Sequence, residues 1–150
     1  MRKIFLSLLV LVTISSIAQD LPKNYASLLK EVEPELISWR RHFHEFPELS
    51  NREVNTGKYI ADFLKTLPNL EVRYPVAKTG VVAVLKGGKP GAVIALRADI
   101  DALPVYERVA IPFASKVTTE FNGQKVSVMH ACGHDSHTAM LMATAKMLSA

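Results

Sequence analysis

Met129–Met140 reads MHACGHDSHTAM. His130, His134 and His137 are three of the chain's five histidines, and Cys132 is its single cysteine. Cys132 and His134 stand two apart, a spacing that on a helix sends side chains in nearly opposite directions. In a turn they can face one side, and Gly133 between them permits the backbone angles a tight turn needs. The pair is therefore predicted in a turn just before a helix that starts at Asp135 or Ser136. The positive end of that helix favours a thiolate. Thiolate plus imidazole suits zinc or a similar divalent ion. A Cys–His nucleophile and a buried core cysteine stay open on spacing alone. His137 can share a face with His134, and Asp135 can cap the helix or orient a ligand.

Outward from this stretch the period of the sequence changes several times. Met140, Leu141, Thr144, Met147 and Leu148 are expected as the buried stripe of the last helix. Asn122-Gly123 between strand-like flanks signals a hairpin. Upstream, AVIALRAD is a continuous apolar run, predicted as a strand buried on both faces. TGVVAVLKGG reads as a second strand, and Leu70, Val72 and Tyr74 alternate as a half-exposed third. Leu28, Val32, Leu36, Trp39 and Phe43 mark a helix over Tyr25–His44, with Pro34 inside it. Ser50 and Glu53 form an S-x-x-E capping box ahead of a helix carrying Val54, Gly57, Ala61, Leu64 and Leu67. The order of elements implies an α/β fold.

Composition sets limits on function. The chain has 150 residues, 49% hydrophobic and 21% charged, which is globular in type. Residues 1–18 combine Arg2 and Lys3, a short apolar run and Ser16-Ile17-Ala18. They are predicted to be a cleaved export signal, too short to anchor in a bilayer, which places the mature chain in the periplasm or outside the cell. Its loss lowers the net charge of +4 by two. The rest is mixed charge, which excludes a nucleic-acid role. A lone exported thiol is unusual, and a metal bond would shield it.

A second constellation is LRADIDALPV, residues 96–105. Asp99 and Asp101 are expected on one side at the end of a strand, where α/β sheets place ligand sites. A third is RRHFHEFPELS, residues 40–50, whose basic groups suit a helix C-terminus.

Together the three stretches resemble metal-dependent amidohydrolases of the hippurate hydrolase type. That family includes N-acyl-amino-acid amidohydrolases and plant auxin-conjugate hydrolases, within the larger group of dinuclear-metal aminoacylases and carboxypeptidases. The resemblance implies a metallopeptidase-like catalytic domain, a mixed sheet flanked by helices, over residues 19–150. It implies that the chain stops before a lid or dimerisation domain. It implies two divalent ions per full-length subunit, manganese, zinc, nickel or cobalt, and an N-acyl amino acid substrate. Cys132 and His134 fall on family metal ligands. Asp101 falls on a supporting aspartate, while Asp99, His130, Asp135 and His137 surround the site. His44 and Glu48 match the first motif, and Phe46 replaces a frequent histidine. The general-base glutamate is expected beyond residue 150, so the 150-residue chain alone is expected to be inactive. Homo-oligomer formation through the later domain stays open.

Overall fold

A computed structural model describes residues 24–150. The predicted export signal lies outside the described residues. Among them no helix is long and apolar enough to cross a membrane.

The first helix, α1, spans Tyr25–Glu45. Val32, Trp39 and Phe43 are buried along it at steps of seven and four, as its apolar period dictates. α2 follows over Val54–Leu64. The expected capping box does not form. Glu53 stands at the N-cap, one turn too early to reach back, and its carboxylate instead accepts from the Asn51 amide (2.9 Å) and the Thr79 hydroxyl (2.7 Å). The helix is capped from a distance by Glu48. One Glu48 carboxylate oxygen accepts from the Thr56 amide and hydroxyl, both at 2.8 Å, and the other from the Asn55 amide at 3.2 Å. A carboxylate there satisfies orphan N–H groups and opposes the helix dipole. Val54, expected on the buried face, is 58% exposed because it opens the helix.

β1 (Leu70–Val76) and β2 (Gly80–Leu85) pair antiparallel. Leu70, Val72 and Tyr74 alternate with exposed neighbours, as their period requires. α2 lies close on this hairpin. A Cβ at Gly57 would stand 2.3 Å from the Thr79 carbonyl oxygen, so glycine permits the approach. β3 (Thr118–Phe121) and β4 (Gln124–Ser127) form the hairpin signalled by Asn122-Gly123. Both turn residues have positive φ, 51° and 75°, as a tight two-residue loop demands.

Two further expectations fail, the second of them in part. Residues 92–99 form no strand, and Val93 and Ile94 are 98% and 82% exposed. A strand exists only within a ladder, and among the described residues no segment hydrogen-bonds alongside this one. The second failure concerns the last helix, α3 (His134–Ser149). Met140 and Leu148 face solvent, while Ala139, Met142 and Ala143 are buried. The two alanines let α1 and α2 pack closely, in one core with Met142, Trp39, Phe43, Ile60 and Leu64. Of the expected stripe, Met147 packs against this core and Leu141 and Thr144 are half-buried, so the buried face is rotated rather than opposite.

Candidate metal centre

Short backbone links bring the three sequence constellations together. The Ala102 amide donates to the Glu48 carbonyl at 2.7 Å, joining residues 48–49 to 101–102. Leu103 and Met129 exchange two amide-to-carbonyl bonds of 3.0 Å. Asp101 and the run from His130 to His134 are thereby held side by side. Neither link is visible as a local period.

α3 begins at His134, one residue ahead of the predicted start at Asp135 or Ser136, with Gly133 at its N-cap in the left-handed region (φ 83°). The Gly133 carbonyl accepts the first helical bonds from the Ser136 and His137 amides, both 3.1 Å. Across this turn Cys132 is exposed and His134 is half-buried.

His134 Nδ1 lies 3.0 Å from the Asp101 carbonyl oxygen and 3.1 Å from Asp101 Oδ1. Both are acceptors, so Nδ1 carries the hydrogen and Nε2 keeps its lone pair. A carboxylate–imidazole pair of this kind orients a histidine for a metal and raises its basicity. Asp99 does not join it. Its carboxylate is drawn to Arg97 (Nε 2.9 Å, Nη2 2.8 Å), and that pairing holds its pKa below the usual carboxylate value. Its backbone carbonyl accepts from Thr138. His137 is exposed, with its ring centre 6.2 Å from that of His134.

His130 is 5% exposed and neither ring nitrogen has a hydrogen-bond partner. Burial pushes its pKa down to about 4, so the ring is neutral near pH 7. It lines a cleft of about 360 Å³ with Arg40, His44, Glu107 and Asp135. Asp135 makes no side-chain cap. It is 1% exposed, and its Oδ2 accepts from His44 Nδ1 at 2.8 Å and Arg40 Nε at 3.1 Å. His44 Nε2 meets Glu107 Oε2 at 2.8 Å. The Val109 amide, and then His44, hold the Glu107 pKa below its ordinary value. Glu107 was missed in the sequence, because it sits in a loop with no motif. Its partner is 63 residues away.

The donor chemistry fits a divalent metal: one exposed thiol, one imidazole with its tautomer fixed, and a buried neutral imidazole nearby. The number does not close a site. Among the described residues no group of three or more histidine, cysteine, aspartate or glutamate side chains is gathered to hold an ion. These residues fit as part of a larger ligand set.

Residues 95–150, which hold Asp99, Asp101, Cys132 and His134, match the family "Peptidase family M20/M25/M40". An N-acyl-L-amino acid amidohydrolase of Geobacillus stearothermophilus is 48% identical over 81% of this chain and 30% of its own length. An IAA-amino acid hydrolase of Arabidopsis thaliana is 40% identical over 96% of this chain and 33% of its own. The crystal structure of Bacillus subtilis YXEP, titled a dinuclear metal binding peptidase from the M20 family, superposes with a TM-score of 0.69. It is 48% identical over 80% of this chain and 31% of that one. The chain thus spans about a third of the length of these relatives. The family match over residues 95–150, the relatives at 40–48% identity and the superposing fold show that the chain is similar to the M20/M25/M40 peptidases and their amidohydrolases.

Proposed function

We propose that the protein to which this chain belongs hydrolyses the amide bond of N-acyl amino acids or related conjugates with the help of divalent metal ions. One observation carries the reading: His134, its Nδ1 committed to Asp101, stands across a left-handed glycine from an exposed Cys132. Cys132 and His134 would hold the metal, with ligands from beyond residue 150 completing it. When bound, such an ion acts as a Lewis acid and makes water a nucleophile at neutral pH. Asp101 holds the hydrogen on His134 Nδ1 and leaves the Nε2 lone pair free to bind. The relatives' names support the substrate class.

A Cys132 nucleophile is the less supported alternative. It needs a base within hydrogen-bond reach, and among the described residues no hydrogen bond joins Cys132 to an imidazole. We also propose export, with cleavage after Ala18, on the strength of the leader-like composition of residues 1–18. The test of function is to assay the full-length protein on a panel of N-acyl amino acids, before and after chelation. Turnover that chelation abolishes and metal restores is expected. Chelator-resistant turnover blocked by thiol alkylation would overturn the metal reading.

A further inference from the structure

Arg40, His44, Asp135 and Glu107 form a charge network in the wall of the cleft, and neither Cys132 nor His134 takes part in it. It joins three parts of the chain: the last turns of α1, the first turn of α3, and the loop that runs on from Asp101. His44 is its centre. Each ring nitrogen lies 2.8 Å from a carboxylate oxygen, Nδ1 from Asp135 and Nε2 from Glu107. Carboxylates only accept, so both nitrogens must carry hydrogen for both bonds to form. Asp135 and His44 are 1% and 4% exposed, and Glu107 is 8% exposed.

Stability alone gives little reason for such a group. Apolar side chains of similar volume often replace a buried ion network without loss. What the network supplies is position. Asp135 follows His134 directly in the chain, so its tie to His44 and Arg40 locates the turn that carries Cys132 and His134. Glu107 lies in the segment that starts at Asp101, whose carbonyl and carboxylate hold the His134 ring. One buried imidazole therefore clamps both strands of chain that meet at the donors.

We propose that His44, with Arg40, Asp135 and Glu107, is a positioning network that fixes the Cys132–His134 turn against the Asp101 segment that holds the His134 ring, and so sets the geometry in which Cys132 and His134 meet a metal. The proposal rests on the metal reading above. It assigns Glu107 and His44 no contact with metal or substrate.

The test uses the full-length protein and zinc alone as probe. Competition titration against a chromophoric chelator gives the metal affinity of the folded form, and urea unfolding of the metal-free form gives stability separately. Glu107→Ala should weaken zinc binding by about tenfold or more, the usual scale for groups that orient ligands. Glu107→Gln keeps an acceptor for His44 Nε2 and should recover most of the loss. Arg40→Ala, at the edge of the network, covers the case in which Glu107→Ala fails to fold, and should weaken binding several-fold. Ile60→Val, in the core, should lower stability and leave affinity unchanged. Unchanged zinc affinity in Glu107→Ala and Arg40→Ala, whatever their stability, overturns the positioning role and leaves the metal reading standing. Wild-type protein that binds no zinc overturns both.

Discussion

Asp101→Asn isolates what the aspartate does for His134. The substitution removes a charge from 3.1 Å beside Nδ1 but leaves the Asp101 backbone carbonyl at 3.0 Å. That carbonyl still accepts the Nδ1 hydrogen, so the tautomer and the Nε2 lone pair survive. Only the carboxylate's effect on ring basicity and orientation is lost. Loss of a group that orients a ligand typically costs about 10- to 100-fold in metal affinity. With the carbonyl retained, the expected cost is at the low end, about tenfold or about 1.4 kcal/mol. The assay is zinc competition titration of the full-length protein and its variant, with circular dichroism to confirm equal folding. Unchanged affinity would show that the carboxylate does nothing the carbonyl does not. Complete loss of metal would show that Asp101 binds the ion directly. Either result refutes the role assigned to it.

Gly133→Ala should cost about 1–2 kcal/mol in urea unfolding, because its φ of 83° is strained for any residue with a Cβ, although the space around it is open; an unchanged midpoint would mean the turn is not left-handed in solution. The His130 ring should titrate near 4 rather than 6.5 in metal-free protein, followed by NMR of its Cε1 proton, and a midpoint near 6.5 would show that it is open to water. Because the folded value is depressed, the unfolded chain takes up the proton first as pH falls. The stability that depends on a neutral His130 is therefore complete above about 6.5 and lost as pH falls through about 4, to a total of about 3 kcal/mol.

Local signals in the sequence located the turns and the first helix well. Cys-Gly-His needed only the opposition between helical spacing and a turn, and Asn122-Gly123 needed only its positive φ. The α1 stripe followed from a period of 3.6. The failures share a different physics. Residues 92–99 have the composition of a buried strand, but a strand is defined by its neighbours, and none lies beside it among the described residues. Glu53 had the spacing of a capping box, yet Glu48 caps α2 after the intervening turn folds back. α3 buries alanines that a search for bulky residues passes over. His44, Asp135 and Glu107 meet across separations of 91 and 63 residues, distances at which no local pattern operates.

The central claim is that Cys132 binds metal, and the most direct test is the metal content of Cys132→Ser in the full-length protein, measured by elemental analysis beside its activity. A neutral hydroxyl is a much poorer ligand than a thiolate, so metal content and activity should fall together. Full metal content with activity abolished would contradict the account and make Cys132 a nucleophile.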